Sequence, residues 1–506
     1  MHVYKIHTSL NLCFYIILTM ILRLNNYKYS TFLLFVLAFA LLGCSKDDTP
    51  DVVITVNGPS DVILGINNEL QLVASTNGVV STEPLTWTSS NSLMATVSDE
   101  GLVTARRHGV VTITASNGVS SGEYELQLFN LSGEGLPEFD EVMVDFMRQF
   151  TVPGASYAVV KDGKLVMVRG YGLADVETQE VVTPTSLFRI ADVSKPITAA
   201  AIMKLVEQDL LDLDELMFTI LLDKFPTVNL PDVRITDITV RQLLNHTSGT
   251  NLVPQPMFNQ GFIAFDKQVE SPPTLDVILD WFADRNLSTT PGESYSYHNM
   301  NYVLLGRIIE AKSGMTYEEY VKTNILDPIE VTEPRIGLSH QVDKFPKEVS
   351  YYSPFTADVR SVFDADTEFV PLPYGGIGDI QNMDSHGGWV ASVVDLARFA
   401  LATDGNPAQL DIISSASQEY MVTAGSDGNG SGWFVAEDNW NHAGLMPGTM
   451  SSIIVKENGL IIIGLLNSTQ DFSGPINQIM FNAFVDDITE LAATTAWVDQ
   501  DLFDAY

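Results

Sequence analysis

Ser186-Leu-Phe-Arg-Ile-Ala-Asp192-Val-Ser-Lys195-Pro-Ile-Thr-Ala199 decides how this chain folds, and its helical character continues to Leu213. Apolar Val193, Ile197, Ala200, Ala201 and Leu205 recur mostly at spacings of three and four, which predicts a helix over 191–208 with that face inward. Positions 192 and 195 share a helix face, so a carboxylate and an ammonium stand one turn apart and can neutralise each other. Ser194, the nearest hydroxyl, points about 200° away from position 192 around the axis. Phe188-Arg-Ile-Ala before the pair and Pro196-Ile-Thr after it are too apolar for Lys195 to be a surface cap.

Outward from this helix the composition sets the frame. A chain of 506 residues with 45% apolar and 18% charged residues holds more than one packed core. The net charge of −36 excludes a nucleic-acid partner, whose phosphates need a basic surface, and excludes docking on anionic lipid through a basic patch. The two cysteines, Cys13 and Cys44, lie near the start, so the body has neither a disulfide framework nor a Cys-based metal site. The eight histidines show no metal-ligand spacing, and no metal or other cofactor is expected.

Residues 31–43, Thr-Phe-Leu-Leu-Phe-Val-Leu-Ala-Phe-Ala-Leu-Leu-Gly, form an apolar run of signal-peptide length that ends at Cys44. Leu41-Leu-Gly-Cys44 resembles a bacterial lipobox, which implies removal of residues 1–43 and a lipid anchor on Cys44. A start at Met20 would give this signal a basic segment of the usual kind, from Arg23 and Lys28. The polar Ser45-Lys-Asp-Asp48 resembles the tag that follows the lipidated Cys in some surface lipoproteins. The expected location is therefore the bacterial outer membrane, on its periplasmic side or at the cell surface.

Between residues 52 and 130 short alternating runs such as Leu70-Gln-Leu-Val-Ala and Val111-Thr-Ile-Thr-Ala are separated by Asn, Gly, Ser and Asp clusters, the punctuation of an all-β unit. Leu85-Thr-Trp-Thr-Ser-Ser-Asn91 and Ala95-Thr-Val-Ser-Asp-Glu-Gly-Leu-Val-Thr-Ala105 resemble a bacterial Ig-like sandwich, with Trp87 as a core anchor. Nothing in this unit converges chemically, so it reads as a spacer. Leu131-Ser-Gly-Glu-Gly-Leu-Pro137 reads as a Gly/Pro linker.

The remainder, 137–489, opens with an amphipathic helix over 137–150 and two strands, 156–161 and 164–171, joined by the turn Asp162-Gly163. A helical, loop-rich middle spans about 205–425. Strands return at 432–435, 449–455 and 460–466, closed by a helix over 474–488. Strands, helical insert, then strands again predict an α+β domain whose antiparallel sheet is built from both ends of the segment.

Three motifs carry chemistry. The stretch around 192–195 resembles the S-x-x-K helix of the serine β-lactamase and penicillin-binding-protein superfamily, with Asp192 at the position of the nucleophilic Ser. Pro291-Gly-Glu-Ser-Tyr-Ser-Tyr297-His-Asn299-Met-Asn-Tyr-Val-Leu-Leu-Gly306 resembles the Tyr-x-Asn element of class C β-lactamases and related esterases and peptidases. Trp440-Asn-His442-Ala-Gly444-Leu-Met-Pro-Gly448 resembles the His-x-Gly variant of their Lys-Thr-Gly motif. The resemblance implies that Lys195 takes the nucleophile's proton, that Tyr297 relays it, and that Asn299 hydrogen-bonds substrate and Lys195. It further implies that His442 and Gly444 line the cleft, Gly444 letting substrate approach the backbone, and that the N–H groups of Leu445 and residue 192 form the oxyanion hole. His298 carries no implied role. Leu243-Leu-Asn-His-Thr-Ser-Gly249 and Gly387-Gly-Trp-Val-Ala-Ser-Val-Val-Asp-Leu-Ala-Arg398 read as supporting scaffold.

Asp192 alters what this constellation can do. Ser194 would have to leave the core face to replace the missing hydroxyl, and attack by the Asp192 carboxylate would give a labile anhydride. An Asp192–Lys195 ion pair neutralises the base and places an anion where the oxyanion should develop. The expectation is a catalytically impaired binder of a peptidoglycan-like peptide, β-lactam or ester, anchored through Cys44. Two alternatives stand beside it: an active serine hydrolase of β-lactamase, D-Ala peptidase or esterase type, and a structural surface adhesin working through its Ig-like unit.

Overall fold

The computed structural model describes residues 52–59, 63–81, 84–225, 230–253, 255–353, 358–363, 368–406, 410–425, 428–470 and 475–506. The apolar run at 31–43 and Cys44 lie outside them, as does the expected start of the last helix at 474.

The first unit is all-β. Its longest ladder pairs Gly109–Ser116 with Ser121–Phe129, and Thr86–Ser89 and Ile63–Gly65 flank it. Val111, Ile113 and Ala115 alternate inward along one strand and meet Leu72, Ala95, Val103, Leu126 and Leu128 in a separate core. Trp87 is not at the centre of that core. It packs half-buried against its side, because its strand lies at the edge of the sheet and offers one face only.

The second unit is the expected α+β layout around one antiparallel sheet. Its elements are β1 (Leu131–Glu134), α1 (Pro137–Gln149), β2 (Gly154–Lys161), β3 (Lys164–Asp175), α2 (Ser194–Glu207), α3 (Asn299–Ser313), α4 (Val393–Leu401), β4 (Phe434–Val435), β5 (Asn439–Met446), β6 (Thr449–Lys456), β7 (Leu460–Leu466) and α5 (Pro475–Thr494). The sheet runs β1-β3-β2-β7-β6-β5-β4, so the early and late segments meet where β2 pairs with β7, Ala158 opposite Ile463. Both faces are covered. Ile461, Ile463 and Leu465 of β7 face the core that holds α2 and α4, and Leu460, Ile462 and Leu466 face α1 and α5. Burial on two sides explains the unbroken apolar run Leu460-Ile-Ile-Ile-Gly-Leu-Leu466.

Three details depart from the sequence reading. Residues 131–134 are not a linker but the edge strand β1, paired with β3 from Leu131 opposite Tyr171 to Glu134 opposite Val168. The His-x-Gly stretch, which lay between the expected strands at 432–435 and 449–455, is a strand of its own, β5. At the other end the packing passes residue 489, since Leu502 N–H donates to Leu165 O at 2.9 Å.

Helix α2 is buried nearly all round, from Ser194 through Met203, because α3 and the helical segments at 317–326 and 384–387 pack around it. The apolar stripe therefore understated its burial. Residues 191–193 form a tighter single turn ahead of it, and Ala191 has φ +46°. An L-residue in that region is strained, so this turn is held by its surroundings.

On the opposite face Phe484 of α5 is fully buried, its ring 5.1 Å from Tyr157 and 5.6 Å from Phe146. Truncation by Phe484→Ala should remove about 3–5 kcal/mol of stability, read as a lowered midpoint in urea unfolding.

Candidate functional site

The turn at 189–192 is bolted to the sheet before any chemistry begins. Thr449 Oγ1 of β6 donates to Arg189 O at 2.7 Å, and Ser451 Oγ donates to Ile190 O at 2.6 Å. Ile190 N–H donates to Trp389 O at 3.0 Å. Arg189, fully buried, donates from its guanidinium to Pro373 O and Leu338 O and lies over the Tyr351 ring at 4.3 Å. Gly444 completes the join: a Cβ there would come within 2.4 Å of Ile190 O and 2.3 Å of Ser451 Oγ. Its lack of a side chain thus lets strand β5 approach the 190–192 turn, a chain-to-chain contact in place of the substrate approach that the motif implied.

That join puts Asp192 at the centre. Oδ1 accepts a hydrogen bond from Lys195 Nζ and one from Tyr297 OH at 2.8 Å, and Oδ2 accepts the long N–H of Leu445 at 3.5 Å. Lys195 has no exposed surface, and its ammonium also donates to His386 O at 3.1 Å. The Asp192 side chain keeps 18% of its surface, so the carboxylate is the member of the pair that solvent reaches. Burial, the largest single effect, would raise the Asp192 carboxyl, but the Lys195 charge and hydrogen bond together with His442 and His386 hold the group down at about 2. Burial pulls Lys195 down from its ordinary value while the Asp192 carboxylate opposes the fall. Tyr297 is pushed well up by burial and by that same carboxylate, so the phenol stays protonated and acts as a donor.

The walls are aromatic. The Tyr297 and Phe434 rings stack at 6.1 Å, and His442 lies 4.9 Å from Phe434. His246 backs Tyr297 at 4.5 Å and accepts His298 N–H on Nδ1.

A family model for beta-lactamases matches residues 139–481, and one for the bacterial Ig-like domain (group 2) matches residues 54–126. The chain belongs to the beta-lactamase family. Protein Flp of Staphylococcus aureus (strain COL) is 25% identical over 353 residues, 67% of this chain and 64% of Flp, so the match spans less than two thirds of that relative. The octameric penicillin-binding protein homologue from Pyrococcus abyssi is 28% identical, with a TM-score of 0.51 over 69% of this chain and 77% of its own. The D-amino acid amidase from Ochrobactrum anthropi SV3, complexed with D-phenylalanine, has a TM-score of 0.54 over 70% of this chain and 99% of its own. At 22% identity that likeness speaks for the fold alone.

In beta-lactamase family terms the three motifs converge, but their parts are wired differently. Asp192, Lys195, Tyr297, His442, Gly444 and Leu445 meet at one point. The implied Asn299–Lys195 hydrogen bond is not made: Lys195 directs two of its three N–H groups to Asp192 and His386 O, and Asn299 Oδ1 is buried without a partner among the described residues. Ser194 faces away, its hydroxyl accepting Trp389 N–H at 3.4 Å with no exposed surface. His298 caps α3, Nδ1 accepting Met300 N–H at 3.1 Å, which fixes it as the neutral Nε2–H form that donates to Leu252 O.

Sequence reading missed His386 and underrated His246. His386 stands one residue before the quoted Gly387-Gly-Trp scaffold, and both its ring nitrogens are buried without a partner among the described residues. Its backbone, more than its ring, was the invisible part, because a carbonyl leaves no mark in a sequence.

Burial, with the Lys195 charge adding to it, lowers His442 to about 4 and His386 to about 3. Burial lowers His298 to about 4 as well. Their folded values lie below the ordinary 6.5, so the unfolded chain binds protons that the folded one refuses. Their contribution to stability is complete above pH 6.5 and drains as the pH falls towards 4, by up to ~1.4 kcal/mol per pH unit for each imidazole. Urea unfolding between pH 7 and 4.5 should show stability falling with pH, with a shallower slope in His442→Gln.

Proposed function

We propose that this chain is a ligand-binding member of the beta-lactamase family whose acyl-transfer chemistry is disabled by Asp192. The single observation that carries this reading is the Asp192 carboxylate itself, which stands at the nucleophile position and is held by Lys195, Tyr297 and Leu445 N–H together. A base that neutralises a fixed carboxylate is not free to take a proton, and a donor already aimed at Oδ2 is not free for a substrate carbonyl. The anion also repels the oxyanion that acylation must form. Loss of a nucleophile by itself costs several orders of magnitude in rate. Ser194 does not rescue the chemistry, since its hydroxyl is buried against Trp389.

The ligand class proposed is the one this family's cleft shape suits: a peptidoglycan-like peptide or a related ester or lactam. The cleft is carried at the outer membrane, on its periplasmic side or at the cell surface, by a lipid anchor at Cys44, and the Ig-like unit serves as its spacer. Support for the location comes from the apolar run, the Leu41-Leu-Gly-Cys44 pattern and the Ig-like match at 54–126.

A fluorescent penicillin and a p-nitrophenyl ester test the reading, applied to the wild type and to Asp192→Ser. The wild type should show neither labelling nor ester turnover, and Asp192→Ser should gain covalent labelling, because Lys195 and Tyr297 are already in place around the new hydroxyl. Stoichiometric labelling of the wild type would overturn the reading. The anchor has its own test: metabolic labelling with palmitate should mark the wild type and not Cys44→Ser, and equal labelling of both would refute it.

A further inference from the structure

The unspent bonding capacity of the cleft lies on one side of the donor–acceptor ledger. Asp192 Oδ1 is saturated by Lys195 and Tyr297, while Oδ2 receives among the described residues only the Leu445 N–H at 3.5 Å. A carboxylate oxygen with a single long donor in a half-open site takes a further donor, and a charged one best. Lys195 cannot be that ligand-facing group, because it has no exposed surface and the carboxylate stands between it and solvent. Two residues after Tyr297, Asn299 Oδ1 is a second buried acceptor without a partner among the described residues.

The walls ask for the same chemistry. Tyr297 and Phe434, half-buried with ring centres 6.1 Å apart, are the aromatic wall beside Asp192, and the Lys195 ammonium already lies over the Tyr297 face at 4.9 Å. Such faces attract cations. His442 and His246, which back them, are kept neutral by burial and add no positive charge. The chain as a whole carries −36, a field that concentrates cations and repels carboxylates at its surface.

We propose that the cleft recognises a cationic amine, a primary ammonium that hydrogen-bonds Asp192 Oδ2 while its hydrocarbon neighbour lies on the Tyr297–Phe434 wall. The substitution at 192 then exchanges the recognised group, from an acyl carbonyl polarised by N–H donors to an ammonium held by an anion. This inference rests on the reading of Asp192 as a non-acylating residue, and it names the chemistry that the altered site selects.

Benzylamine, its neutral isostere benzyl alcohol and the anion benzoate discriminate the possibilities by calorimetry or saturation-transfer NMR. Benzylamine should bind the wild type at least about tenfold more tightly than benzyl alcohol does, with benzoate weakest. Asp192→Asn, which keeps the shape and removes the charge, should lose that preference. Phe434→Leu, at the half-buried wall and away from the ion pair, should weaken benzylamine several-fold with an unchanged thermal midpoint, which keeps the test decisive if Asp192→Asn folds poorly. Equal binding of benzylamine and benzyl alcohol, tighter binding of benzoate, or no benzylamine binding at millimolar concentration would each overturn the proposal. Penicillin labelling of the wild type would instead overturn the non-acylating reading beneath it, so the two failures are separate results.

Discussion

A lysine ammonium with no exposed surface must find an anion or surrender its charge, and Lys195 finds Asp192. Breaking a buried pair of this kind by removing one partner costs about 3–5 kcal/mol, because the other charge is left in a medium that cannot solvate it. The surrounding structure is arranged to keep the pair together. Strand β6 holds the 189–190 backbone through two hydroxyls, Gly444 lets β5 close in, and the His386 carbonyl takes a second ammonium proton.

The pair in turn fixes the protonation of its neighbours. Tyr297 stays a phenol because it is buried and an anion sits on its hydroxyl, and the histidines stay neutral because they are buried and face an ammonium. The result is a cleft lined by neutral rings and one accessible carboxylate. A family whose members gather donors around an acyl group has here become a site rich in acceptors, through one side chain.

Much of this was legible in the sequence where the determinant is local. Asp192 and Lys195 are three residues apart, so the ion pair followed from helix geometry alone, and Phe188-Arg-Ile-Ala announced that Lys195 was no surface residue. Strand β7 was legible in Leu460-Ile-Ile-Ile-Gly-Leu-Leu466 for the same reason. What escaped depends on partners distant in sequence or on the backbone. Asn439-Trp-Asn-His442 has no apolar alternation, and so it did not stand out as a strand. Leu131-Ser-Gly-Glu134 read as a linker because of Gly133, whose φ of +80° and missing Cβ are what allow this strand within reach of Val168 O. The implied Asn299–Lys195 contact is not made because the motif it came from has a hydroxyl where this chain has Asp192, and here the Lys195 ammonium is directed to that carboxylate and to His386 O.

That strand β1 follows the Ig-like unit almost without a gap has a mechanical meaning. The last Ig strand ends at Phe129 and β1 begins at Leu131, and the one residue between them, Asn130, accepts Gly172 N–H at 2.8 Å. No stretch of free torsion angles remains to serve as a hinge. A pull arriving through the Ig-like unit therefore enters along an edge strand of the second sheet, where the β1–β3 hydrogen bonds share the load in shear instead of opening one after another. The second unit thus follows the Ig-like unit through a single hydrogen-bonded residue and not through a free linker.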